Sequence, residues 1–236
     1  MFKFSNFLPP YTWTELYVQE FEVQIAVDAM QMLIKNQENS WEEIKDQFKK
    51  KIEEDPILNS LEEEDRSSYY DQVYSMEVET IREIKRLQRN SVFLSIFAFF
   101  EGRLKAICEN IKNENNISTK LSDIRKQGDI QKFWHFLTTI YNINGSNVEP
   151  YLVPIEQHKF ARNMIAHSEG YISTLQKGRV VLGTGLNIRS YTADIHQIEI
   201  NNESFLSNLL IDISDFYKEL FLAIDEKYKA DKGITS

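Results

Sequence analysis

The sequence predicts a mainly α-helical bundle with a small β-hairpin insertion before its last helix, and three observations carry that expectation. Apolar residues recur every three or four positions over most of the chain, the signature of amphipathic helices. The stretch "SVFLSIFAFFEGRLKAICENI", 91–111, is apolar almost all round at its start and amphipathic afterwards, as a helix in the middle of a bundle must be. Residues rich in β-branching and punctuated by Lys-Gly and Gly-Thr-Gly are confined to 171–200, where short strands are expected. The chain has 236 residues, 42% of them hydrophobic and 12% aromatic, which suffices for one substantial core and excludes a disordered chain.

Taken in order, the first helix runs from about Thr12 to Lys35, with Leu16, Val23, Ala26, Val27, Met30 and Leu33/Ile34 as its apolar stripe. Ser40 then reads as the N-cap of a new helix, "WEEIKDQFKKKI", because Glu43 completes a capping box, and Pro56 closes that element. Polar and acidic residues at 59–66 lead into a long helical pattern through "YYDQVYSMEVETIREIKRL" and on to the apolar 91–111 segment. Two shorter helices are expected near 118–126 and 129–141, separated by Gly128. Pro154 suits the first turn of the next helix, and Gly170 the left-handed position that ends it. The final helix spans 203–228 with Phe205, Leu209, Ile213, Phe216, Leu220 and Ile224 as its buried face.

The net charge of −9 is unevenly spread. Residues 1–66 hold 7 Lys+Arg against 15 Asp+Glu, a net of −8, while the other 170 residues are near balance and can present basic patches. Such patches stand at 81–89, at Arg103 with Lys105, at 124–132 ("IRKQGDIQK") and at 176–179. One cysteine, Cys108, permits no internal disulfide and suits a reducing compartment. The N-terminal stretch lacks a secretory signal's apolar region, and the most apolar run, 92–100, is far short of the roughly 20 residues that span a bilayer. A cytoplasmic protein with no membrane contact is the expectation.

The stretch "ARNMIAHSEG", 161–170, holds an unusual cluster: Arg162 and Asn163 open a short run that His167 closes just as the helix ends. Residues four apart lie about 40° from each other around a helix and residues five apart about 140°, so Asn163 and His167 share a face while Arg162 points away from His167. One helix alone does not easily aim Arg162 and His167 at one small atom: they converge if the helix loosens at its end, if Arg162 reaches around, or if a second copy of the site lies opposite, the last of which is a homodimer with a shared cleft. A helix C-terminus favours positive charge on His167, and an imidazole exchanges protons near neutral pH. A guanidinium beside it can grip a phosphate by two hydrogen bonds, so the pair suits phosphodiester chemistry. RNA brings its own nucleophile, the 2′-hydroxyl, and such a site needs no metal.

The run "RNMIAH" resembles the R-N-x-x-x-H form of the Arg-x4-6-His motif of HEPN domains (higher eukaryotes and prokaryotes nucleotide-binding). Its setting is similar too: a long helix of the type "SVFLSIFAFFEGRLKAI", shorter helices, the motif helix, then an amphipathic helix, over roughly residues 89–228. The resemblance implies a HEPN-like domain over 89–236 with an acidic helical extension, 1–88, packed on it. It further implies a metal-independent endoribonuclease of toxin–antitoxin, abortive-infection or other antiphage type. Arg162 and His167 would be catalytic, with Asn163 the polar residue that follows the arginine. Glu101, in "FFEG", matches the acidic residue that some members carry on the earlier helix, although it could equally pair with Lys105 one turn on. The implied partners are RNA, a second copy of the chain, and an antitoxin or other defence-system protein. The alternative is a non-catalytic HEPN module that binds a nucleotide, RNA or a protein.

Further substrate contacts are expected from His158, one turn before Arg162, and from Lys177, Arg179 and Arg189 in the insertion. The acidic 1–66 segment should repel RNA and so lie away from the cleft. His158 and His167 are nine residues apart, about 180° around a helix, so they make no metal pair. His135 reads as a helix residue with a local hydrogen bond, His196 as a strand residue, and Cys108 as core. No cofactor or metal is expected.

Overall fold

A computed structural model describes residues 11–126, 128–182 and 185–234. The N-terminal stretch read above for a signal sequence falls largely outside them. Among the described residues the order is α1 (Thr14–Glu53), α2 (Pro56–Ser60), α3 (Glu63–Glu114), α4 (Asp129–His135), α5 (Glu149–Gln157), α6 (Lys159–Ser168), β1 (Tyr171–Ser173), β2 (Leu186–Ser190), β3 (Ile195–Ile200) and α7 (Glu203–Lys232). Mainly helical architecture with a small sheet before the last helix is thus what the chain adopts.

The long axis of the core is α3. Its residues Phe93, Phe97, Phe100, Leu104 and Ile111, spaced three, four or seven apart, are fully enclosed. Each such side chain contributes about 1.5–3 kcal/mol of burial free energy. Helix α7 lays all six residues of its expected stripe against this core, and the Tyr217 hydroxyl donates to the Phe100 carbonyl oxygen at 2.6 Å. Helix α1 packs between α3 and α7. Its start is fastened by Asp225 of α7, whose carboxylate accepts from the backbone N–H groups of Thr12 (2.7 Å) and Trp13 (3.0 Å).

Several boundaries differ from the sequence expectation. Ser40 caps nothing, because α1 runs unbroken from Thr14 to Glu53. No Gly or Pro stands between residues 11 and 55 to interrupt it, so a serine with capping potential stays in the helix interior. Pro56 opens α2 instead of closing α1, with Asp55 accepting from the N–H groups of Ile57 and Leu58. Likewise α3 is one helix of 52 residues, so position 88, where the extension was expected to end, lies inside it. The expected helix at 118–126 is only a 3-10 turn at Leu121–Asp123, anchored by the buried Leu121 and Ile124. The helix at 129–141 changes from α4 to a π turn at Phe136–Ile140.

Pro154 lies within α5, and the motif helix α6 begins five residues later at Lys159. The helical ladder lapses at His158, whose N–H makes a three-residue turn to the Ile155 carbonyl at 3.2 Å. At the far end of α6 the left-handed residue that closes the helix is Glu169 (φ 52°), one before the expected Gly170. Gly170 follows with φ 83°, and its N–H closes onto the Met164 carbonyl at 2.9 Å. Glycine is needed there for a second reason: a Cβ would stand 3.1 Å from the Ile198 carbonyl oxygen of β3.

The insertion is a three-stranded antiparallel sheet in the order β1-β3-β2, one strand more than a hairpin. Leu186 pairs with Ile200 and Ser190 with His196, while Ile172 of β1 pairs with His196 on the opposite edge of β3. The run "RVVLG" forms no strand where it is described. Between β1 and β2 a 3-10 turn, Thr174–Arg179, is closed by a Ser173–Gln176 capping box. Arg89 of α3 ties the layers together: its guanidinium is bidentate to Glu38 of α1 (both contacts 2.6 Å) and donates to the Ile200 carbonyl of β3 at 2.9 Å. Among the described residues no helix is long and apolar enough to cross a membrane.

Candidate functional site

Helix α6 buries Ala161 and Ile165 against the core, which sets the direction of its other side chains. Arg162 is one position round from Ala161 and so flanks the buried stripe, reaching α3. There it meets Glu101, itself one residue past the enclosed Phe100. An Arg162 guanidinium N–H donates to Glu101 Oε2, and a second donates to Asn163 Oδ1 at 2.8 Å. Both ionic side chains are largely shielded, at 25% and 18% exposure, so their attraction acts in a lower dielectric than water's. Burial pushes the Glu101 carboxyl above its ordinary range, with Asp129 adding to the rise and Arg162 and Lys159 opposing it. Lys105 is not its partner.

His167 stands apart. It is exposed in the last turn of α6, and no hydrogen bond joins it to Arg162 among the described residues. Glu101, Arg162 and Asn163 therefore form one cluster, and His167, one turn on from Asn163 and five residues from Arg162, is not bonded into it.

His158 does not share the surface of Arg162. It is buried, its ring meets Phe205 edge-on at 4.9 Å, and desolvation lowers its pKa from the ordinary histidine value. It borders a separate cavity of 350 Å³ beside α7. His158 stands at the N-cap of α6, where its carbonyl still accepts from the Arg162 N–H at 2.9 Å, but its ring is turned to Phe205 and away from the Arg162 cluster.

Asn163 also lines a surface cleft of 710 Å³ between α4, the end of α5, the start of α6 and the 3-10 turn of the insertion. Lys126, Lys159 and Arg179 supply positive charge to it. Its carboxylate, Glu156, accepts from the Gln131 amide at 2.6 Å. The Arg179 guanidinium lies 4.2 Å from the centre of the Phe160 ring, a cation–π contact. Of the expected insertion contacts, Arg179 is therefore in the cleft. Lys177, on the same turn, is half-buried and does not line it, and Arg189 is engaged with Glu79 (3.5 Å), Glu199 (3.9 Å) and the Tyr191 ring. None of the cleft residues comes from the acidic 1–66 segment.

Sequence reasoning missed Lys126, Gln131, Lys159 and Phe160 as cleft residues. The basic patch at 124–132 carried part of that signal, and so did the aromatic residue standing between Lys159 and Arg162. His135 hydrogen-bonds Thr139 (3.1 Å), the expected local contact. His196 is buried on β3 between the hydroxyls of Thr174 (3.0 Å) and Ser190 (2.9 Å). Cys108 is enclosed, and burial raises its thiol well above the ordinary range. Among the described residues no group of three or more His, Cys, Asp or Glu side chains is placed to hold a metal ion.

No family model matches this chain, and neither a curated protein nor a solved structure is detectably similar to it.

Proposed function

We propose that this chain is a HEPN-type, metal-independent endoribonuclease of the cytoplasm, acting as a toxin or antiphage effector. The observation that carries the reading is the Glu101–Arg162–Asn163 cluster, with His167 solvent-exposed at the end of the same helix. In this reading Arg162 stabilises charge on the phosphate oxygens, held in place by Glu101 and Asn163. His167 moves protons. The RNA 2′-oxygen bonds to phosphorus as the bond to the 5′-oxygen breaks; the 2′-hydroxyl proton leaves to a base and a proton reaches the departing 5′-oxygen. The products are a 2′,3′-cyclic phosphate and a 5′-hydroxyl.

Arg162 is drawn toward α3 while His167 faces solvent, so a second copy of the chain completes the site across a homodimer cleft. The acidic α1 and α2 region then offers a surface to an antitoxin or another defence-system protein. One observation favours a non-catalytic module instead: Glu101 already neutralises Arg162, which leaves a positively charged cleft suited to binding a nucleotide, RNA or protein partner.

Incubation of the purified protein with total RNA in EDTA decides between them. Cleavage that yields cyclic-phosphate ends and falls about 10²–10⁴-fold in His167→Ala supports the nuclease. Arg162→Lys should recover only part of the loss seen in Arg162→Ala, since lysine keeps the charge without the planar fork. Equal cleavage by wild type and His167→Ala leaves the binding module.

A further inference from the structure

We infer that the cleft beside Asn163 is a subsite for one unpaired nucleotide of an RNA strand, with Phe160 as its base platform and Lys126 and Lys159 facing its phosphates. The inference rests on the nuclease reading only in taking RNA as the ligand. The cleft's 710 Å³ lies within the roughly 300–1,000 Å³ of sites that hold small organic groups. Three cations line it against one carboxylate, Glu156, whose two oxygens already accept from Gln131. An anion is therefore the favoured occupant.

Phe160 narrows the choice of anion. A guanidinium 4.2 Å from its ring centre marks a planar surface that a flat cation already finds favourable. A nucleobase can stack on that surface or on the guanidinium itself, because bases stack on both aromatic and arginine planes. Phosphate contacts and a stacking platform in one cleft describe a nucleotide better than an acidic peptide or a simple phosphate. The base must be unpaired, since bases inside an A-form duplex do not present a face to a protein aromatic.

Position supplies the link to cleavage. Asn163 lines the cleft and at the same time accepts from Arg162, so a strand seated there passes next to the Arg162 cluster. The insertion acquires a role as well: its 3-10 turn carries Arg179 to Phe160, and Ser173 and Gln176 fix that turn through their capping box. The specificity of the site is thus divided between α6 and the insertion.

The test uses the whole 236-residue chain carrying His167→Ala, so that RNA survives the measurement. Fluorescence anisotropy compares a short single-stranded oligoadenylate, the same length of duplex RNA, and AMP. The expected result is preference for the single strand, weakened about tenfold by Phe160→Leu and about tenfold by Arg179→Gln, and retained in Phe160→Tyr. Lys159→Ala should flatten the dependence of log affinity on log salt by about 0.7, the change expected when a single-stranded phosphate is deprived of one cation. Arg179 is exposed, so Arg179→Gln reports on binding even if Phe160→Leu perturbs folding. Unchanged affinity in both variants, equal binding of duplex, or AMP binding as tightly as the oligonucleotide overturns the assignment. In the otherwise wild-type chain, normal cleavage by the Phe160→Leu/Arg179→Gln double variant removes the subsite and leaves the nuclease. Loss of oligonucleotide binding in these variants, in a chain that cleaves nothing, removes the nuclease and leaves the subsite.

Discussion

Arg162 of α6 and Glu101 of α3, 61 residues apart in sequence, form an ion pair that joins the motif helix to the central helix of the core. Arg162 is therefore a structural residue as well as a proposed catalytic one. Arg162→Ala should lower stability by about 1–3 kcal/mol, since it leaves a shielded carboxylate without its partner. Burial already raises the Glu101 pKa, and removing Arg162 takes away the main opposing influence. A folded state that holds this proton more tightly than the unfolded chain loses stability as pH rises through the carboxylate range. The Arg162→Ala variant should accordingly be weaker at neutral pH than in mild acid. Adding Glu101→Gln should restore most of the loss. Denaturant titrations of the two single variants and the double at both pH values give the coupling energy, and additivity would show that the pair contributes nothing.

The division of Arg162 and His167 between two sides of α6 makes a mixing experiment informative. Arg162→Ala and His167→Ala chains, each inactive alone, should regain activity when refolded together. About half the dimers are then mixed, and each carries one complete composite site of two, for about a quarter of wild-type cleavage. A mixture as inactive as its components would place both residues of a site in one chain.

His158 gives the fold a sensitivity to acid. Its ring is buried against Phe205, its Nδ1 has no hydrogen-bond partner among the described residues, and burial lowers its pKa below the ordinary 6.5. The unfolded chain thus binds this proton more readily than the folded one. The stability tied to neutral His158 is present in full above about pH 6.5 and declines as pH falls below it. Melting temperatures measured from neutral pH downward should fall less steeply in His158→Leu than in wild type. Parallel curves would assign the acid sensitivity to other groups.

Among the described residues, Arg89 and Glu38 make the most deeply buried of the ion pairs between helices, at 6% and 15% exposure. Arg89→Met should cost about 3–5 kcal/mol, because it strands Glu38 and also leaves the Ile200 carbonyl without its donor. Replacing both partners, Arg89→Met with Glu38→Leu, should recover much of that loss. If the double variant is no more stable than Arg89→Met, the deficit comes from packing around Arg89 and not from the unpaired charge.

What was legible in the sequence follows from how local each signal is. The stripes of α7 and of the middle of α3 are repeated every turn for several turns, so chance cannot easily mimic them, and every residue assigned to the α7 stripe is buried. The ends of elements depend on one or two residues and were less legible. Ser40 carries capping chemistry in a context that never leaves the helix. Pro154, expected in the first turn of the motif helix, stands instead inside the preceding α5, and the chain breaks four residues later at His158. Strand character at 171–173 was legible, but its place in one sheet was not, because β1 is only three residues long and takes its partner from β3, over twenty residues on. The motif residues could be picked out one by one, and Glu101 could be named beside them. The cleft could not, since its walls come from four separate elements whose meeting is decided by packing.

The length of α3 has a consequence for how the chain can be divided. At 1.5 Å per residue its 52 residues extend about 78 Å. Its first half buries only Tyr74 before Arg89, and α1 buries nothing fully beyond Ile34. The outer parts of these helices thus form a two-helix arm, braced by Lys85 over the Trp41 ring (3.4 Å) and Phe48 against Tyr74 (5.9 Å). Only the short α2 turn at the tip joins the two helices of that arm covalently. A cut there leaves α1 still inserted between α3 and α7, so the two pieces form a split-protein pair. Their reunion would be a bimolecular event, and the melting point of the reassembled fold would then rise with concentration.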